Sequence, residues 1–245
     1  DVYKRQDAGA NGTWREGQDY LVIDTKQGSS GDPNGLTSPG AVDLDGNGTV
    51  DRIYAGDLHG KMWAFDVSSQ STTNWKSAYG NKNRPKPLFN GPSNQAITTR
   101  VTVVKNPDIG DASDNAPNTI VMFGTGRLLS ANDKFTTTTE SFYGIWDHGK
   151  QNIKRNKLVE QTYQTSGDTR TLTDKPVAYQ AAKKNKQQQG WFIDFTSGER
   201  IITNPATRGG YVFFNTVIPT TNAPCSFGGS GWLMVAKVEN GGQPD

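Results

Sequence analysis

Apolar residues along this chain fall into short runs that alternate with polar ones, and the runs predict β-strands rather than helices. Strands are predicted at Tyr20 to Asp24, Arg52 to Ala55, Lys61 to Asp66, Arg100 to Val104 and Thr119 to Phe123. Further strands are predicted at Ser141 to Asp147, Gly190 to Phe195, Gly210 to Ile218 and Gly231 to Val238. Each is rich in Val, Ile, Tyr, Phe or Trp and is bounded by Gly, Asn, Asp or Pro, the residues that punctuate sheets. Lys61 to Asp66 alternates only loosely, which predicts a strand covered on both faces. Ser68 to Thr99 and Pro107 to Asn118 carry much Asn, Ser, Pro and Lys and read as loops or insertions. Within Lys154 to Gln189, the composition of Pro176 to Lys186 predicts a helical piece.

The strand pattern contains a weak internal repeat. Tyr54-Ala55-Gly56-Asp57 leads to Lys61-Met62-Trp63-Ala64-Phe65-Asp66. Met122-Phe123-Gly124-Thr125-Gly126 leads, after an insertion, to Phe142-Tyr143-Gly144-Ile145-Trp146-Asp147. Each copy is a strand, a glycine turn and an aromatic strand ending in Asp, as expected of propeller blades. The predicted fold is all-β: a partial, modified β-propeller of four-stranded antiparallel blades with long loop insertions. A β-sandwich is the alternative. Residues 1–19 read as a separate N-terminal segment, with no pattern over Asp1 to Gln6, and residues 20–245 as the propeller portion.

Composition narrows the function classes. The mean hydropathy is low at -0.70, yet 28 glycines, 12 prolines and 10% aromatic residues indicate turns rather than disorder. A net charge of +2 is too small for a nucleic-acid footprint, and the basic run Lys183-Lys184-Asn185-Lys186 lacks interleaved aromatics. Cys225 is the single cysteine, so no intrachain disulfide can form. No run approaches the ~20 apolar residues of a membrane helix. The chain does not begin with Met and reads as a fragment or processed piece, so targeting is not legible in it.

One loop carries chemistry. In Asp43-Leu44-Asp45-Gly46-Asn47-Gly48-Thr49-Val50-Asp51, the oxygen-bearing residues Asp43, Asp45, Asn47 and Asp51 occupy positions 1, 3, 5 and 9. Calcium takes six to eight oxygens, and alternate side chains of a tightly wound loop can turn toward one point. Gly46 and Gly48 free the backbone for that winding, and Thr49 at position 7 offers its main-chain carbonyl. Position 12 is Tyr54, so the bidentate Glu of an EF-hand is missing, and the flanks read as strands. A short strand-flanked calcium site is the expectation; an Asx-rich turn capping its own backbone is the bland alternative.

Other candidates carry less. His59 and His148 sit in turn-like positions, and one Cys with two His gives no zinc constellation. Nothing sets a nucleophile beside a base and an acid, and Cys225 between Pro224 and Ser226 has no nucleophile signature. Gly124-Thr125-Gly126-Arg127 is too short and wrongly flanked for a phosphate loop. Asp194 and Glu199 bracket a glycine-containing turn and read as its caps.

Three blocks in order resemble the PilC/PilY-type type IV pilus biogenesis proteins. The first runs from the DxDxNxxxD loop through Tyr54-Ala55-Gly56-Asp57-Leu58-His59-Gly60 to Asp66. The second is Phe123-Gly124-Thr125-Gly126-Arg127. The third combines Gly198-Glu199-Arg200-Ile201-Ile202-Thr203-Asn204-Pro205, Arg208 to Pro219, Pro224-Cys225-Ser226 and Gly228 to Met234. The resemblance spans about Val42 to Val238 and implies a modified β-propeller at the C-terminal end of a larger exported protein. It implies a non-enzymatic factor at the cell surface, outer membrane or pilus tip that supports pilus assembly. Calcium-dependent control of extension against retraction, twitching motility and surface attachment are implied with it. The implied calcium ligands are Asp43, Asp45, Asn47, Asp51 and the carbonyl of Thr49. The implied partners are pilus components such as minor pilins, with host or abiotic surfaces, and no nucleic acid. The Gly-Asp…Gly-Lys-Met-Trp-Ala-Phe-Asp pattern also resembles quinoprotein propellers, which makes a quinone-dependent dehydrogenase the first alternative. A generic extracellular calcium-stabilised adhesion domain is the second.

On the residues alone, the ion is expected to stiffen one blade-to-blade connection.

Overall fold

A computed structural model describes residues 2–4, 14–17, 19–109, 117–180, 186–220 and 229–245. The described residues form strands and short 3-10 turns, with no α-helix among them. Of the segment proposed as helical, residues 176–180 are not helical, residues 181–185 lie outside the described set, as does Cys225, and Lys186 stands in a 3-10 turn. Alanine and lysine favour a helix, but propensity yields to tertiary context, and Val177 and Tyr179 are instead drawn into the core beneath the central sheet.

Three sheets stack face to face in chain order. The first pairs Gly40–Val42, Arg52–Gly56, Lys61–Asp66 and Lys76–Ser77 antiparallel, and Phe89–Asn90 joins the far end of Lys61–Asp66. The central sheet pairs Thr102–Lys105, Thr119–Gly124, Ser141–Asp147 and Gly190–Asp194 antiparallel, with Val159–Gln161 added in parallel. The third joins Ala206–Arg208, Tyr211–Asn215 and Leu233–Lys237. Small hairpins occupy the insertions, among them Tyr163–Ser166 with Thr169–Leu172, so the polar connections hold more pairing than their composition predicts. Polar residues hide short strands because two or three ladder bonds need no apolar face.

Pleating explains the stacking. On the central sheet, Ile120, Met122, Phe142, Trp191 and Ile193 point to one side and join Val212, Phe214, Met234 and Ala236 of the third sheet. Val121, Phe123, Tyr143, Ile145 and Phe192 point to the other and join Tyr54, Met62 and Ala64 of the first sheet. A sheet covered on both faces must read as a nearly continuous apolar run, and Thr119–Gly124 does. Lys61–Asp66 is likewise covered twice: Trp63 and Phe65 pack with Ala55 on the side away from the central sheet. Phe142 stacks on Phe214 with centroids 3.9 Å apart, tying the central and third sheets.

The internal repeat is a packing device. A Cβ on Gly56 would lie 2.2 Å from Ile97 Cγ2, and one on Gly124 would lie 2.3 Å from Ile201 Cγ2. Ile97 N–H donates to Asp57 O and Ile201 N–H donates to Thr125 O, the same bond to the residue after each glycine. The first and central sheets thus each receive an isoleucine where the second strand ends in glycine.

Candidate functional site

The Asp43–Asp51 loop joins Gly40–Val42 to Arg52–Gly56, two neighbouring strands of the first sheet. It is a hairpin within one sheet, which corrects the expectation of a blade-to-blade connection. Asp51 closes the ladder: its N–H donates to Val42 O and its carbonyl accepts from Val67 N–H, both at 2.9 Å. Asp51 is buried, whereas Asp43, Asp45, Asn47 and Thr49 lie in the exposed arc.

Local chemistry winds the arc. Gly46 and Gly48 hold φ of 78° and 87°, values that side-chain-bearing residues avoid. Asp43 accepts from Gly46 N–H and Gly48 N–H at 2.7 Å each. Asp45 accepts from Asn47 N–H at 3.0 Å, Asn47 Oδ1 accepts from Thr49 N–H at 2.8 Å, and Asp51 Oδ2 accepts from Leu44 N–H at 2.7 Å. The donation from Gly48 leads the bonds that hold the Asp43 carboxyl below the usual range for aspartate. One carboxylate oxygen each from Asp43, Asp45 and Asp51 lies within 4.8 Å of the others. Three hard anionic oxygens around one point match the donor preference of calcium.

The loop adjoins a polar junction between sheets that the sequence reading missed. Arg52 and Tyr54 alternate to the same face as strand pleating requires. Arg52 Nη1 donates to Asp147 Oδ2 at 3.1 Å and Tyr54 hydroxyl donates to the same oxygen at 2.7 Å. Tyr79 hydroxyl donates to Asp147 Oδ1, and Gly149 N–H lies 3.3 Å from it. Asp147 is fully buried. Burial and then the Asp147 charge push the Tyr54 and Tyr79 hydroxyls well above the ordinary tyrosine value. The signal was a charged residue at the end of each aromatic strand.

The remaining candidates separate. His59 Nε2 lies 3.0 Å from Asp32 Oδ1, while His148 stacks on Trp146. Asp194 pairs with Arg155, and Glu199, fully buried, binds Arg170 through both oxygens. Glu199 also accepts from Thr196 hydroxyl across the turn. Asp57 accepts from Trp63 Nε1, His59 N–H and Lys61 N–H, which closes the Gly56–Lys61 turn. Lys183, Lys184 and Asn185 lie outside the described residues.

Comparison with known proteins gives these elements a setting. The type IV pilus biogenesis factor PilY1 homolog of Xylella fastidiosa is 35% identical over 222 residues, covering 85% of this chain and 14% of the relative. The type IV pilus biogenesis factor PilY1 of Pseudomonas aeruginosa is 26% identical over 256 residues, covering 88% of this chain and 21% of the relative. The chain therefore spans between about a seventh and a fifth of these relatives. The crystal structure of the Pseudomonas aeruginosa PilY1 C-terminal domain superposes with a TM-score of 0.71 at 25% identity, covering 91% of this chain and 53% of that one. The family described as the PilY1 beta-propeller domain matches residues 22–175. By sequence and by fold, the chain belongs to the PilY1 β-propeller family.

Proposed function

We propose that this chain is the calcium-responsive propeller portion of an exported, non-enzymatic type IV pilus biogenesis factor, displayed at the cell surface or pilus tip. The observation that carries the calcium reading is the convergence of Asp43, Asp45 and Asp51 within 4.8 Å in a glycine-wound hairpin. Asp43, Asp45, Asn47 and Asp51 would hold the ion through side chains and Thr49 through its carbonyl. When bound, calcium supplies the positive charge that offsets repulsion among three clustered carboxylates.

The residues of the chain set what ordering the loop does. Asp51 is shared between the loop and the ladder, and the next residue, Arg52, reaches Asp147 of the central sheet. Ordering the arc therefore fixes the strand end that holds two sheets together. A ligand that binds only the ordered loop stabilises it by about 2.7 kcal/mol at a hundredfold excess over Kd. That is enough to shift a marginally ordered surface loop, and a pilus component such as a minor pilin, or a host or abiotic surface, would read the difference. In this reading the ordered form favours pilus extension, attachment and twitching over retraction.

The relatives are named as pilus biogenesis factors, and the quinoprotein-like pattern has a structural reason here. Asp57 and Trp63 satisfy one another inside the turn. The test uses the full-length protein in the cells that make it. Asp51→Ala is expected to leave the protein exported while surface pili and twitching lose their response to calcium and chelator. A variant that responds like the wild type would overturn the reading. A loss of surface pili in every calcium condition, with the protein present, would favour a plain assembly or adhesion domain.

A further inference from the structure

Three of the seven exposed large hydrophobic residues among the described residues lie within eight positions: Leu128, Leu129 and Phe135, at 40%, 70% and 57% exposure. They sit on the connection between Thr119–Gly124 and Ser141–Asp147. Since Gly124 pairs with Phe142 while Thr119 pairs with Asp147, this connection leaves the end of the stack opposite the Arg52–Asp147 junction and the Asp43–Asp51 loop. We propose that residues 127–135 form a preshaped docking tip that seats these three side chains in an apolar pocket rimmed by carboxylates on a protein partner.

The tip is built from inside. Arg200, 1% exposed, donates from Nε to Gly198 O at 3.1 Å. Its Nη1 donates to Arg127 O at 3.0 Å and Asp133 O at 2.6 Å, and its Nη2 to Thr136 O at 2.9 Å. All four of these acceptors are main-chain carbonyls. The buried Asp133 carboxylate accepts from Leu129 N–H and Ser130 N–H at 2.8 Å and pairs with Arg127 Nε at 2.9 Å. Burying a guanidinium and a carboxylate is costly, and both are used here to fix the path of a surface loop. The two motifs left without a chemical role meet at this point. Gly126 has φ of 127° and would place a Cβ 2.5 Å from Arg200 Cβ, so only glycine lets Gly124-Thr125-Gly126-Arg127 lie on Gly198-Glu199-Arg200-Ile201.

Charge selects the occupant. Arg127, half exposed, is balanced by the buried Asp133 carboxylate, so Lys134, over the Phe135 ring at 4.9 Å, leaves the tip one net positive charge. An apolar cluster with its acid turned inward and the Lys134 cation at its edge complements an apolar pocket with an acidic rim. Rigidity favours a protein over a lipid surface. A pocket rewards a fixed shape by lowering the ordering cost of binding, whereas a bilayer adapts to its ligand and rewards apolar area, of which three side chains offer little.

The test places a photo-cross-linking amino acid at Leu129 of the full-length protein in the cells that make it. The expected adduct joins one protein, through a segment of apolar residues flanked by Asp or Glu. Phe135→Ser and Lys134→Glu are each expected to lower its yield at least about tenfold, with unchanged melting of the purified variants. The same amino acid at exposed Lys82 is expected to give no such adduct. Adducts to lipid, to a second copy of the chain or to many proteins would overturn the proposal. So would no adduct at all, or one indifferent to both substitutions.

Discussion

Replacing Asp147 with Ala tests whether the first and central sheets are held by a polar junction as well as by apolar packing. Asp147 is fully buried and accepts from Arg52 Nη1, Tyr54 hydroxyl and Tyr79 hydroxyl. Alanine would leave a mostly buried guanidinium without its counter-charge and Tyr79 hydroxyl without its acceptor, while Tyr54 hydroxyl keeps Thr119 Oγ1 at 3.3 Å. Stripping one partner from a buried ion pair costs about 3–5 kcal/mol. In a chain of this size each kcal/mol moves Tm by about 2–4 °C, so a fall of about 6–20 °C is expected. Melting followed by tryptophan fluorescence and far-UV circular dichroism measures it. Replacing both charges with apolar residues (Arg52→Met with Asp147→Leu) should cost less than the sum of the single changes by at least about 1 kcal/mol. A Tm within about 2 °C of wild type for Asp147→Ala, or strictly additive losses, would show that the polar junction does not hold the two sheets.

Three further outcomes are expected. Phe214→Ala removes the ring stacked on Phe142 and should cost about 3–5 kcal/mol in chemical unfolding. Burial raises the Glu140 carboxyl to about 7, so the folded state holds a proton that the unfolded chain releases from about pH 4.3 upward. Its stabilising contribution is therefore present at acid pH and lost as pH rises toward 7. Glu140→Gln should flatten the stability profile between about pH 4.5 and 7, and an unchanged profile would contradict the assignment. Tyr54 and Tyr79 are also raised acids, held protonated by burial and Asp147, so stability should fall as pH rises above about 10, where unfolded tyrosine ionises. Tyr79→Phe should soften that alkaline fall.

Much of this fold is legible in the sequence because sheets announce themselves through apolar period and turn residues. The strands at Arg52–Gly56, Lys61–Asp66, Thr119–Gly124 and Ser141–Asp147 fall where the apolar runs place them. The doubly covered Lys61–Asp66 is foreshadowed by its loose alternation. Gly40–Val42 and Lys76–Ser77 escaped because two or three residues carry no period, and Val159–Gln161 because its partner strand lies far along the chain. The carboxylate cluster was readable because its geometry is local: alternate positions and two glycines within nine residues. Asp147 with Arg52, and Arg200 with Asp133, are separated by 95 and 67 residues. Composition shows such residues only as charges at strand ends, and tertiary contact alone reveals what they hold. The placement of the loop within one sheet, rather than between blades, likewise depended on the pairing of Val42 with Arg52.

The most direct test of the calcium reading is an isothermal titration of calcium into chelator-stripped protein, with Asp51→Ala measured beside it. One saturable site is expected in the wild type and none in the variant. Cleavage by protease near Gly46 to Thr49 should fall as the wild-type site fills. Absence of binding to a folded wild type, or equal binding by the Asp51→Ala variant, would contradict the calcium reading.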